Sequence, residues 1–236
     1  MTLKIDEFIV ADPADAWTRA GFSVDSDAVC RIGDVGIRLV GRDTRAAPAA
    51  TSDDGAAPAA TSDQGTGAGI VAWSLQGLPS DDSVHDIDGI PTTSSGEEFR
   101  AEPLTHPNGV TSIDHVVLLS PDLRRTVTSL AAVGADPRRE RDGELGGRPI
   151  RQIFFRLGEV IVEAVGSPDT ASAGPSSLWG ITYVVADIDA SAAFFCDHTG
   201  KVKGAVQPGR RITTLRHHEL GMSVRSAMIS APTRDR

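Results

Sequence analysis

Two side chains attract attention because of the company they keep. His115 lies in SIDHVVLLSPDL, residues 112–123, and Glu163 in EVIVEAVG, residues 159–166. Each is a polar side chain in a largely apolar run that reads as a strand. A buried imidazole or carboxylate must find a hydrogen-bond partner or a ligand. Strand alternation places His115 on a face with Ile113 and Val117, and Glu163 on a face with Ile161 and Val165. An imidazole and a carboxylate suit a divalent metal, among them Zn, Fe, Mn and Ni. The same pair can instead hydrogen-bond to each other or to water in a polar hollow that holds no metal.

Other chemistry-bearing residues give weaker signals. Arg148, Arg151, Arg210 and Arg211 flank strands, and a guanidinium can clamp a carboxylate or phosphate. Arg151 or Arg211, with the amide of Gln152, are the candidates for substrate binding, against the reading that strand-edge arginines stay solvated. His106, in the turn THPNG, could reach the mouth of a hollow but reads more simply as solvated. His217 and His218 end a strand, where alternation lets at most one face inward. His85 and His198 lie in polar settings, His198 near a helix C-terminus. Tyr183, Trp179 and Trp73 read as core or wall. No phosphate-binding glycine loop, nucleophile elbow or Cys–His pairing stands out.

Composition narrows the class of partner. The 236 residues are 40% hydrophobic, enough for a substantial core. With 23 Lys and Arg against 32 Asp and Glu, the formal charge is -9, which disfavours nucleic acid or an anionic membrane as main partner. The two cysteines, Cys30 and Cys196, are far apart and read as core thiols. The first residues carry no basic region followed by an apolar run, and no apolar stretch approaches the ~18 residues that span a bilayer. The expectation is a soluble cytoplasmic protein.

These residues must be positioned by strands, and the strands repeat. Ile113–Ser120 reads as a strand, Asp122 caps a helix carrying Leu123, Val127 and Leu130, and Gly134 stops it. The polar stretch RRERDGELGG follows, then strands Arg148–Leu157 and Glu159–Val165. This βαβββ order returns with Trp179–Val185, a helix capped by Asp187 or Asp189 through Phe195, and strands Lys201–Gln207, Arg211–His217 and Met222–Ser230. A degraded third copy opens the chain. It has strand Lys4–Val10, cap Asp12 with Pro13 first in the helix, and strands near Ala28–Ile32, Val35–Val40 and Gly69–Gln76. Residues 43–67, where AAPAATSD occurs twice, read as a mobile, functionally inert insertion. The chain thus divides into a degraded unit over 1–78, a polar connection over 79–109 with a turn at Asp88-Gly89, and paired units over 110–232.

The repeats, HVVLLSPDL, FFRLGEVIVEAVG and WGITYVVADIDASAAFF followed by VQPGRRITTLR, together resemble the glyoxalase/bleomycin-resistance/extradiol-dioxygenase superfamily, also called vicinal oxygen chelate. The resemblance implies an α+β fold in which tandem βαβββ units form open curved mixed sheets, a cup with helices packed outside. It also implies metal ligands on the first and last strands of each unit, here His115 and Glu163 on neighbouring strands. Aligning Asp122 with Asp187 puts Gly180 opposite His115, and aligning Pro168 with Pro232 puts Ala227 opposite Glu163; neither can ligate. Aligning Ile5-Asp6-Glu7 with Ile113-Asp114-His115 offers Glu7 as the third metal ligand. Three functions follow as expectations. One is a metal-dependent lyase, isomerase or dioxygenase with Glu163 shuttling a proton. Another is a metal-free binder like the drug-sequestering members. The last is a dimerising module, since an odd third unit leaves a sheet edge in need of a partner, such as a second copy in a homodimer.

Overall fold

The computed structural model describes residues 2–42, 68–79, 84–96 and 104–232. The insertion expected over 43–67 lies outside the described residues. The strands are β1 (Lys4–Val10), β2 (Val29–Ile32), β3 (Val35–Leu39), β4 (Ile70–Gln76), β5 (Asp86–Ile87), β6 (Ile90–Ser94), β7 (Val110–Leu119), β8 (Arg139–Leu145), β9 (Arg148–Leu157), β10 (Val160–Gly166), β11 (Ser177–Val185), β12 (Lys203–Gly204), β13 (Arg211–Thr214) and β14 (Arg225–Ser230). The helices are α1 (Ala14–Arg19), α2 (Leu123–Ala132) and α3 (Ile188–Phe195). Short 3-10 turns follow at Cys196–His198 and His217–Leu220.

An eight-stranded sheet runs β12-β13-β14-β11-β7-β10-β9-β8. It is two βαβββ units joined edge to edge: β7 is parallel to its own last strand β10, β11 is parallel to β14, and β7 and β11 meet antiparallel at the centre. The Asp122 and Asp187 side chains cap α2 and α3 as expected, each accepting from the two backbone N–H groups that open the helix. The sheets are mixed and curled, so the fold is the α+β cup. The polar stretch after α2 forms β8, an edge strand paired along its whole length with β9. Six of its seven residues are exposed, so no alternation marks it in the sequence.

The N-terminal region differs from the expectation of a single degraded unit. Its six-stranded sheet runs β2-β3-β1-β4-β6-β5, with β1 parallel to β3, β4 parallel to β6, and β1 antiparallel to β4. The segment read as the last strand of the first unit is therefore the first strand of another shortened unit. The stretch read as polar connection supplies that unit's final hairpin, β5–β6. The hairpin turns on Asp88-Gly89, both at positive φ (55° and 82°), the geometry that closes a two-residue turn with the right twist. Both sheets are thus pairs, and the premise that an odd unit leaves an edge to be covered does not hold.

Two buried aspartates fasten the sheets together. Asp88 has a fully buried side chain and accepts from Arg125, Thr126 and Ser176, which pins the hairpin turn onto α2. Asp12 was expected to cap α1, but Pro13 takes that position and makes no side-chain cap. The Asp12 carboxylate instead accepts from the Ser223 backbone N–H (2.9 Å) and the Trp17 indole (3.1 Å). Between these fasteners, Phe22 packs on Tyr183 with ring centroids 5.3 Å apart, and β4 and β2 lie beside β11 and β7.

Candidate functional site

Opposite faces of the eight-stranded sheet have different neighbours. Val116, Leu118, Val162, Ala164, Ile181 and Tyr183 are buried on the face covered by α2, α3 and the six-stranded sheet. On the cup face, His115, Val117, Ile161, Glu163 and Val165 are half-buried. One irregularity sets the site. The β7–β11 register slips between His115↔Thr182 and Ile113↔Tyr183, leaving Asp114 as a bulge. Ile113 therefore belongs to the buried face and not with His115, contrary to simple alternation. The consecutive side chains Asp114 and His115 touch, which regular strand pleating forbids.

The bulge starts a polar chain across the cup. Arg210 Nη1 donates to Asp114 Oδ1 at 2.5 Å, and its Nε donates to the Ser230 carbonyl at 2.7 Å. His115 Nδ1 lies 2.8 Å from Asp114 Oδ2, and His115 Nε2 lies 3.6 Å from Glu163 Oε2. Gln152 Nε2 donates to Glu163 Oε1. Arg141 in turn donates to Gln152 Oε1 from Nε (2.8 Å) and Nη2 (2.6 Å). Burial alone would push the Asp114 carboxyl up. The hydrogen bonds from His115 and Arg210 outweigh it and hold the carboxyl below its ordinary value. An ionised Asp114 can only accept, so His115 Nδ1 carries a hydrogen and donates it. In the neutral ring the Nε2 lone pair then faces Glu163 and the cup, 3.6 Å from the carboxylate and beyond hydrogen-bond range.

Of the residues singled out in the sequence, the fold brings together His115, Glu163 and Gln152. Arg151, half-buried, and Arg211, exposed, pair with Asp142 (2.7 Å) and Asp189 (2.7 Å) and stand outside this chain. Their sequence neighbours Gln152 and Arg210 occupy the network instead. Glu7 lies in the six-stranded sheet, hydrogen-bonded to Arg38 at 2.8 Å. Asp114, Arg210 and Arg141 were not chosen from the sequence. An aspartate directly beside a histidine within a strand was the one available signal, because it breaks alternation.

Donor chemistry and donor number give different answers for a metal. Two ligands sharing a tetrahedral ion at about 2.0–2.1 Å stand about 3.3 Å apart, close to the 3.6 Å between His115 Nε2 and Glu163 Oε2. A carboxylate on the far ring nitrogen is also the usual support for a ligating histidine. A third protein ligand is missing. Among the described residues, no group of three or more His, Cys, Asp and Glu side chains could hold an ion. The relation between the paired units puts Gly180 in His115's place and Ala227 in Glu163's. A Cβ at Gly180 would come within 2.7 Å of the Arg225 carbonyl oxygen, so that position has no room for a side chain. The residues present therefore do not fit a resident metal held by three or four protein ligands, and the set Glu7, His115 and Glu163 is not assembled.

The remaining histidines are structural or peripheral. His106 is buried, not solvated: it accepts from the Ser23 backbone N–H at Nδ1 (3.1 Å) and donates from Nε2 to the Arg31 carbonyl (3.1 Å). Burial lowers its pKa. His198 pairs with Glu219 at 3.0 Å on the surface, and His85 is exposed. His217 and His218 lie in a 3-10 turn, not a strand, with their rings 4.0 Å apart, and only His217 is buried. Burial, aided by the charge of His218, pushes the His217 pKa down to about 4.

Because the folded chain keeps His217 neutral while an unfolded imidazole titrates near about 6.5, its contribution to stability is complete above pH ~6.5. That contribution is lost as the pH falls toward about 4. His217→Leu is expected to remove on the order of 2 kcal/mol of acid sensitivity between pH 7 and 4.5. Thermal melts of wild type and variant at both pH values read the difference. An equal pH slope in both proteins would refute the assignment.

No protein-family model matches the chain, and no curated protein matches it in sequence. Solved structures do. A mutant of 4-hydroxymandelate synthase from Streptomyces coelicolor matches over 100% of this chain and 95% of that one, with TM-score 0.60 and 13% identity. Catechol 2,3-dioxygenase matches over 99% and 91%, with TM-score 0.54 and 12% identity. A variant of homoprotocatechuate 2,3-dioxygenase from B. fuscum matches over 100% and 71%, again with TM-score 0.54 and 12% identity. Identities this low speak to architecture alone. No helix among the described residues is long and apolar enough to cross a membrane. The paired βαβββ units of the eight-stranded sheet, the shortened pair in the six-stranded sheet, and the agreement with these structures along the whole chain establish that the protein has the vicinal oxygen chelate fold.

Proposed function

We propose that the protein is an enzyme of the lyase or isomerase type that binds a small molecule in the cup and moves a proton through His115. The observation that carries this reading is the Asp114–His115–Glu163 contact. The ionised Asp114 holds the Nδ1 hydrogen at 2.8 Å and so presents the Nε2 lone pair as a general base. Glu163, 3.6 Å from Nε2, lowers the energy of the imidazolium that forms when the proton is taken up. Gln152 occupies Glu163 Oε1 and leaves Oε2 toward the ring. Arg210 fixes Asp114 from the other side. A carbon next to a carbonyl is the substrate position that such a base serves.

The test is deuterium incorporation from D2O next to the carbonyl of acetone, hydroxyacetone and acetophenone, followed by NMR in the presence of a chelator. Exchange above the buffer rate that survives the chelator supports the proposal. Exchange at the buffer rate for all three ketones would leave the metal-free binding module as the better reading. Metal analysis of tag-free protein tests the other alternative. Stoichiometric metal, lost in both His115→Ala and Glu163→Ala, would replace the acid–base reading with a metal centre completed by solvent or substrate.

A further inference from the structure

The far end of the polar chain has no task in proton transfer, and its charge balance is unusual. Arg141 is the one residue of β8 that is not exposed. It pairs in register with Gln152 and so lies on the cup face. Its guanidinium donates only to the amide oxygen of Gln152, a neutral acceptor, and rests 5.8 Å from the centroid of the Phe154 ring. Arg38, Arg125, Arg151, Arg156, Arg210 and Arg211 each have a carboxylate partner. Arg141 has none among the described residues. In a chain of formal charge -9, an uncompensated half-buried cation facing a cup is a costly arrangement unless an anion comes to it.

Its geometry also narrows the anion. A guanidinium has five N–H donors, and two of Arg141's point at Gln152. The Nη1 and Nη2 end remains, a planar fork that matches a carboxylate. Gln152 and the Phe154 ring already hold the fork, so little side-chain freedom is lost when it is occupied. Gln152 and Glu163 link it to His115, and beside them the cup face is apolar, with Phe154 and Val117 in register with Glu163 and Ile161 in register with His115.

We propose that Arg141 is the anchor for the carboxylate of the cup's ligand, a small molecule with an apolar middle that lies over Phe154 and toward His115. This names the ligand class for the site proposed above and rests on that site being the binding cup. Gln152 is then a positioning residue, aligning the anchor through its oxygen and Glu163 through its nitrogen.

Benzoate is the probe, with benzamide as its neutral isostere and inorganic phosphate as the competing anion, all read by ligand-observed NMR titration. Benzoate should bind and benzamide should not. Arg141→Gln should weaken benzoate at least tenfold, while Arg151→Gln, on the outer face, should leave it unchanged. His115→Gln should retain benzoate binding, which separates the anchor from the acid–base reading. β8 is an edge strand, so Arg141→Gln should melt with the wild type. Equal benzoate affinity in wild type and Arg141→Gln, equal binding of benzamide, or phosphate binding as tight as benzoate would each overturn the proposal. So would no benzoate binding by the wild type, an outcome that leaves the exchange assay on His115 standing by itself.

Discussion

Ketone exchange should fall by about 10²–10⁴-fold in His115→Gln, the range that a positioned general base contributes. A glutamine keeps a polar group on the cup face but has no lone pair basic enough to take the proton. Asp114→Asn should produce a loss of similar size for a different reason. Its amide can donate to Nδ1, which moves the ring hydrogen to Nε2 and removes the base without removing the imidazole. Nitrogen-detected NMR of the ring would show this: Nδ1 protonated in the wild type, Nε2 protonated in the variant. Retained exchange in Asp114→Asn with a switched tautomer would refute the mechanism. Retained exchange with an unchanged tautomer would refute the role given to the bulge.

For stability, the largest expected effect lies at Asp88. Its carboxylate is fully buried and satisfied by Arg125, Thr126 and Ser176. Asp88→Ala leaves a guanidinium and two hydroxyls without their acceptor and puts alanine at φ 55°. Arg125 is partly exposed and can turn to water, but the two buried hydroxyls left without their acceptor cost about 1–3 kcal/mol each, and alanine tolerates the left-handed backbone less well than aspartate. For a chain of this size, a loss of 4 kcal/mol corresponds to a fall in Tm of about 10 °C. Asp88→Asn tolerates the left-handed turn and keeps one acceptor oxygen, so it should lose markedly less. Calorimetry of both variants checks the ordering. A melting point for Asp88→Ala within 2–3 °C of the wild type, roughly a 1 kcal/mol effect, would show that the hairpin is not held through this carboxylate.

What the sequence discloses and what it conceals divide along physical lines. His115 and Glu163 were legible because each stands in a largely apolar run, and burial then demands a partner. Strands β9, β10 and β11 and helices α2 and α3 were legible from the same apolar runs and from Asp122 and Asp187. The bulge was not, since it depends on how β7 pairs with a strand about 70 residues away. Alternation therefore grouped Ile113 wrongly with His115 and passed over Asp114. Arg141 was hidden in a stretch whose one large apolar residue, Leu145, is itself exposed and so gives the strand no buried face. Arg151 and Arg211 each stand one position from a member of the polar chain, Gln152 and Arg210, and neighbours in a strand point to opposite sides. Glu7 aligned by local resemblance to Ile113-Asp114-His115, but that resemblance cannot say which sheet a strand joins. The shortened unit built from β4 to β6 lost its helix, and with it the pattern that marks a repeat.

The crowding at Gly180 bears on any attempt to turn this protein into a metalloenzyme. Installing the mirror-image histidine there would push the new side chain into the β14 backbone at Arg225 before it reached an ion. A designer would first have to move two hydrogen-bonded strands apart in the middle of the sheet. Converting Ala227 alone to glutamate, in the other vacant ligand position, is the smaller step, and it would ask the pocket to accept a third donor, a carboxylate, without redrawing its floor.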